Sequence, residues 1–276
     1  MLDHPTLLDG AMGTALIGRG LPQGGLPEEW LLTRPEEVAA VHAEHAEAGA
    51  SVLLTCTFNC AAPRLEARLG GSPVEELCGR AARLARSAAP PGVLVAGAVG
   101  PTGLHGKGAA PREEILVRYR RALAALAEAG VDLLWIESQW DLPEALAALE
   151  AARAVGLPTA VTFGFPEAGG SFRAPDGTPA EACLLAVEAS GASGAGVNCV
   201  APGPALTALA SWAAGRQRVP FVAKPSPGLP GAVLDPDAFA GALSPAFAAG
   251  LRIAGGCCGA TGRHLRALGP LVARAG

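Results

Sequence analysis

The chain of 276 residues carries a formal net charge of −4, is 50% hydrophobic and only 17% charged, which excludes the basic surface that a phosphate backbone needs; no nucleic-acid partner is expected. No run reaches the roughly 18 uninterrupted apolar residues of a membrane helix, and the opening "MLDHPTLLDGAMGT" has no basic segment ahead of a long apolar one. A soluble, cytoplasmic protein with no membrane partner is expected, and in that compartment an odd count of seven cysteines argues for reduced thiols or metal ligands rather than a disulfide framework.

Taken in chain order, short apolar runs alternate with longer helical patterns. The first strand candidate is "TLLD" at Thr6, and a helical stretch "RPEEVAAVHAEHAEAG" precedes the second, "SVLLTCTF" at Ser51. His42 and His45 fall on that helix and are read as solvent-facing. Then come "VLVAGAVG" at Val93, the helix "PREEILVRYRRALAALAEAG", "VDLLWIES" at Val131, the helix "DLPEALAALEAARAVG" and "PTAVTFGF" at Pro158. The last three candidates are "GAGVNCV" at Gly194, "VPFVAKP" at Val219 and "GLRIAGGC" at Gly250. Several helical stretches open on Pro or an acidic residue and close on Gly, as helix ends favour. Near-continuous apolar strands between helices indicate a parallel sheet covered on its faces. Eight strand–helix units, spaced by roughly the thirty residues of a βαβ unit, with no linker between halves, predict a single (β/α)8 TIM barrel over residues 1–276. An open doubly wound sheet is the structural alternative.

A barrel of this class places its chemistry at the carboxyl ends of the strands. Asp9 ends the first expected strand, Thr55 and Cys56 lie near the end of the second, and Glu137 ends the fourth. Asn198 and Cys199 end the sixth, Cys257 and Cys258 the eighth. Singly, a strand-end Asp or Asn can serve as a cap or turn residue. Three cysteines at the ends of two strands are harder to explain by packing, and soft thiolates select zinc, copper(I) or iron–sulfur centres. Cys199 stands far from the Cys257–Cys258 pair in the chain, so a locally folded zinc ribbon is excluded, and three protein ligands with a fourth position open is a pattern of catalytic zinc. Gly255, Gly256 and Gly259 would let the backbone turn both adjacent sulfurs inward. Two buried apolar cysteines, or a redox-active disulfide, are the competing explanations.

"LLDGAMGT", "GAVGP", "GVNC" and "GGCCG", in that order over essentially the whole chain, resemble the homocysteine S-methyltransferase family. The resemblance implies a (β/α)8 barrel, zinc held by Cys199, Cys257 and Cys258, and homocysteine or a close thiol or selenol as acceptor. It implies that Asp9 and Glu137 help to hold the amino acid part of homocysteine, with Asn198 beside them in the substrate-binding set, and that methionine is the product. "AKPSPGLPGA" from Ala223 is similar to a stretch of the homocysteine domain of cobalamin-dependent methionine synthase, which points to a methylcobalamin donor carried by a separate protein. S-methylmethionine, S-adenosylmethionine and betaine are the alternative donors. The chain departs from the family pattern at Cys56 in "TCTF", at Ser226 in "PSPGLP" and at Ser138 after Glu137. Cys56 is read as a bystander, and Cys60, Cys78 and Cys183 are assigned no chemistry. The loop "GLHGKG", with His105 and Lys107, is read as a mobile strand-to-helix connection. Two further classes stay open: a non-catalytic zinc-binding barrel, and a barrel aldolase or hydrolase that uses Asp9 and Glu137 as acid and base.

Overall fold

The strands pair side by side in parallel, and their order returns to its beginning. The computed structural model describes residues 4–70, 73–104, 110–229 and 231–276. Its strands are β1 (Thr6–Leu7), β2 (Val52–Leu54), β3 (Leu94–Val99), β4 (Leu133–Gln139), β5 (Thr159–Phe163), β6 (Glu167–Ala168), β7 (Ser171–Phe172), β8 (Gly194–Asn198), β9 (Phe221–Lys224) and β10 (Ile253–Ala254). Eight of them form one sheet in the order β1-β10-β9-β8-β5-β4-β3-β2. A parallel bridge from Leu8 to Val52, with Ser51 N–H donating to the Leu7 carbonyl at 2.7 Å, joins the two ends. This is the expected (β/α)8 barrel; all eight expected strands are present. The open-sheet alternative fails at that bridge. The antiparallel hairpin β6–β7 was not anticipated; it sits in the connection between β5 and β8 and turns at Gly169–Gly170. The call for His105 and Lys107 falls outside the described residues.

Side chains alternate along the strands with a period of two. Leu8, Val52, Leu54, Ala96, Ala98, Leu133, Trp135, Ala160, Val222 and Ile253 form a cluster inside the barrel. Their neighbours Leu7, Leu53, Val95, Leu134, Ile136, Val161, Val197 and Ala223 belong to the larger cluster between the strands and the helices. Two steps on from Trp135 and Val222, the inward register reaches Glu137 and Lys224, and two on from Gly196 it reaches Asn198. The layer above the apolar filling is therefore polar.

The histidines correct the sequence expectation. In the helix Pro35–Glu47, the buried positions are Val38, Val41, His42 and His45, the inward stripe of an α-helix, with His42 fully buried and His45 nearly so. Neither ring nitrogen of His42 has a hydrogen-bond partner. Burial lowers the His42 pKa to about 4, with Asp9 opposing and His45 reinforcing the shift. Folded His42 stays neutral while the unfolded side chain takes up a proton near its ordinary value of 6.5, so stability is lost as pH falls from about 6.5 to about 4 and levels off below. The size of this loss is on the order of 3 kcal/mol. Urea unfolding across that range should show it, and His42→Leu should remove most of the slope.

Candidate active site

The three cysteines expected to act together do meet. Cys199 follows β8, and Cys257 and Cys258 follow β10, on either side of β9. The backbone of β9 and its extension fixes both: Cys199 N–H donates to the Lys224 carbonyl at 3.0 Å, and Cys257 N–H to the Pro225 carbonyl at 2.9 Å. The three sulfurs all lie within 4.8 Å of one another. Cys199 is exposed and the other two are half-buried, so the cluster faces out of the barrel mouth. Cys199 and Cys257 are joined as a disulfide, their Cα atoms 5.3 Å apart, and Cys258 Sγ lies 4.0 Å from Cys199 Sγ. Sulfurs placed this close for a shared ligand are also close enough to pair with each other, which qualifies the expectation of three reduced thiols.

Backbone strain concentrates here. Among the described residues, Cys199 and Ser138 are the non-glycine positions with positive φ, 57° and 56°. They are coupled through Asn198, whose Oδ1 accepts the Ser138 N–H at 2.9 Å while its Nδ2 donates to Ser138 Oγ at 2.5 Å and approaches Cys199 Sγ at 3.5 Å. Asn198 thus spends its amide on the strand ends and the sulfurs. The opening motif closes the cysteine turn from the other side: Gly256 N–H donates to the Asp9 carbonyl at 3.0 Å and Gly259 N–H to Thr14 Oγ1 at 3.0 Å. Gly255 is required by close approach, since a Cβ there would stand 2.7 Å from both the Asp9 carbonyl oxygen and Leu8 Cβ. Gly259 adopts φ +85°, a left-handed conformation that favours glycine.

The carboxylates behave differently from one another. Asp9 is buried, with Oδ2 accepting the Leu54 N–H at 2.7 Å and Oδ1 paired with the buried ammonium of Lys224. Glu137 accepts no hydrogen bond among the described residues, and burial pushes its pKa up to about 7 against the pull of Lys224. These groups share a cavity of about 410 Å³ with the three cysteines and with Glu28, Asn59 and Arg64. Glu28 is fully buried and accepts from Asn59 N–H at 2.7 Å and Asn59 Nδ2 at 2.8 Å; Arg64 Nε donates to Asn59 Oδ1 at 2.8 Å. Cys56 is buried in the wall of the same cavity, outside the three-sulfur cluster, and burial raises its thiol well above the ordinary range. Lys224, Ser138, Thr14 and the Glu28–Asn59–Arg64 chain were missed in the sequence. Of these, Lys224 and Ser138 carried a signal: both stand at strand ends.

A parallel barrel with a mouth-facing trio of cysteines, an unpaired buried carboxylate and an enclosed cavity defines an enzyme of the thiolate-centre type, built to hold a soft cation. The family model for homocysteine S-methyltransferase matches residues 6–272, and the chain belongs to that family. It is 31% identical to a methionine synthase of Mycobacterium leprae over 96% of this chain, and spans only 24% of the length of that relative. It is 34% identical to the S-methylmethionine–homocysteine S-methyltransferase BHMT2 of Rattus norvegicus over 69% of this chain and 50% of that protein. The metallated crystal structure of the homocysteine methyltransferase MmuM from Escherichia coli superimposes with a TM-score of 0.81 at 29% identity, covering 99% of this chain and 97% of that one.

Two outcomes follow from the geometry. Gly255→Ala forces β10 away from β1, should cost about 1–3 kcal/mol as an overpacked site, and is read as a lower thermal midpoint. For Glu137, the folded pKa lies above the unfolded value of 4.5, so stability is lost as pH rises from about 4.5 to about 7. Glu137→Gln should lack that loss, and comparing urea midpoints of the two proteins over this window separates it from the opposing histidine effect.

Proposed function

We propose that the protein is a zinc-dependent homocysteine S-methyltransferase that methylates the thiol of homocysteine to give methionine. The observation that carries this reading is the convergence of Cys199, Cys257 and Cys258 at the barrel mouth. Three thiolates fit zinc: four ligands at about 2.3 Å in a tetrahedron leave one position for an incoming sulfur, and sulfurs within 4.8 Å of one another are close to that spacing. When bound, zinc would lower the pKa of the substrate thiol, while the anionic thiolate set keeps that sulfur electron-rich.

The chain's own residues would do the rest. Asn198 Nδ2, directed at the sulfurs of Cys199 and Cys257 at 3.5 and 3.8 Å, orients them and tempers their charge. Glu137, with no protein donor of its own among the described residues, receives the substrate ammonium, a charge-assisted contact that aims the sulfur at the methyl group. Asp9, the other carboxylate of the substrate set, lies beside it in the same cavity. Transfer is then an in-line displacement at carbon in which positioning is the main contribution.

The donor favoured is a methylcorrinoid on a separate protein, supported by "AKPSPGLPGA" and by the similarity to a methionine synthase. S-methylmethionine is the second reading, supported by the rat relative. A cytoplasmic setting belongs to the same proposal, because the ligand thiols must be reduced; no helix among the described residues is long and apolar enough to cross a membrane.

Protein purified under reducing conditions should contain about one zinc per chain, as a three-thiolate site predicts, and Cys258→Ser should lose it. Adding homocysteine to the zinc form should release a proton, read by a pH indicator. Well-reduced protein that neither holds zinc nor binds homocysteine after zinc is added contradicts the assignment. Single-turnover assays with a methylcobalamin-loaded protein and with S-methylmethionine decide between the donors.

A further inference from the structure

We infer that Lys224 is a specificity-determining residue: it occupies Asp9 from within the barrel, so that the substrate amine is received by Glu137 alone. The inference rests on the homocysteine reading of the site and refines which carboxylate does what.

The strand register puts Lys224 in the cavity. Val222 faces the barrel interior, so two residues further along β9 the Lys224 side chain also faces inward, between the strands that carry the cysteines. It is 3% exposed, and its ammonium reaches across β10 to Asp9 Oδ1. The other oxygen of Asp9 is taken by the Leu54 N–H. Both oxygens of Asp9 thus have partners in the protein, and a substrate ammonium could reach them only by displacing a buried ion-pair partner, which leaves a charge uncompensated. Glu137 shares the cavity and accepts no hydrogen bond among the described residues. A buried acceptor without a donor is the place where a ligand donor gains most. Of the two carboxylates, therefore, one is neutralised by the chain and one is available.

The consequence is a particular selectivity. A site with two free carboxylates would reject a thiol that lacks the α-amino group much more strongly than a site with one. With Asp9 neutralised, the zinc-loaded protein should prefer homocysteine over its deamino analogue, 4-mercaptobutanoate, by about tenfold, the worth of one charge-assisted contact.

The test is calorimetric titration of the zinc-loaded protein with each thiol, for the wild type, Glu137→Gln and the double variant Asp9→Asn/Lys224→Met. The double variant removes both charges of the pair together and keeps side chains of similar size, so no unpaired charge is buried. Glu137→Gln should bring the preference close to one, and the double variant should keep the wild-type preference within about threefold, well under the worth of one such contact. A preference that survives Glu137→Gln and collapses in the double variant would make Asp9 the receiver and overturn the inference. Should the double variant fail to fold, Glu137→Gln decides by itself, since an unchanged preference there is already incompatible with Glu137 as sole receiver. Wild-type protein that holds zinc and binds neither thiol overturns the homocysteine reading, and this inference with it; wild-type binding with the wrong variant pattern overturns the inference alone.

Discussion

Everything at the barrel mouth depends on the backbone of β9. Its last carbonyl and the next one accept the amides of Cys199 and Cys257 from opposite sides, so residues far apart in the chain deliver their sulfurs to one point. Parallel pairing alone would not do this, because each chain must turn sharply as it leaves its strand. At β8 the turn is made by Cys199 itself in a left-handed conformation that a non-glycine residue adopts at a cost, and Asn198 holds it in place through Ser138. At β10 it is made by glycines packed against β1, and the opening "DGAMGT" segment clamps it with hydrogen bonds from Gly256 and Gly259. The sequence motifs at the two ends of the chain are halves of one structure.

The register of the strands explains why the polar layer exists at all. Trp135 and Val222 fill the barrel interior, and the same inward direction, two residues later, presents Glu137 and Lys224. Below that level the interior is apolar and densely filled. Above it, buried charges carry desolvation costs that the fold offsets only in part: Asp9 is compensated by Lys224 and Leu54, while Glu137 is left with a raised pKa. An uncompensated carboxylate is a stability loss and a binding asset in the same place, which is the pattern expected where function has been placed on a stable scaffold.

Much of this was legible from sequence, for identifiable reasons. Near-continuous apolar strands between helices fixed the barrel, and the rule that barrel chemistry sits at strand ends picked out Asp9, Glu137, Asn198 and the three cysteines before any geometry was known. The histidines were misread because the helix Pro35–Glu47 carries alanine on every face, which hides its inward stripe; the spacing of Val38, Val41, His42 and His45 was the usable signal. Lys224 was overlooked because a lone lysine near a strand end reads as solvated, although its register with Val222 already directed it inward. The β6–β7 hairpin and the chain from Glu28 through Asn59 to Arg64 depend on contacts between distant segments, and nothing local encodes them. The pairing of Cys199 with Cys257 is of the same kind: spacing in the chain says nothing about which sulfurs touch.

The central claim is that three sulfurs of this chain and one from the substrate share a single zinc ion. X-ray absorption at the zinc edge, on reduced zinc-loaded protein before and after addition of homocysteine, tests it directly. The account predicts three sulfur neighbours at about 2.3 Å and one lighter atom in the free protein, changing to four sulfurs with homocysteine bound. A shell that keeps the same sulfur count when homocysteine is added, or that holds fewer than three sulfurs at the start, would contradict it.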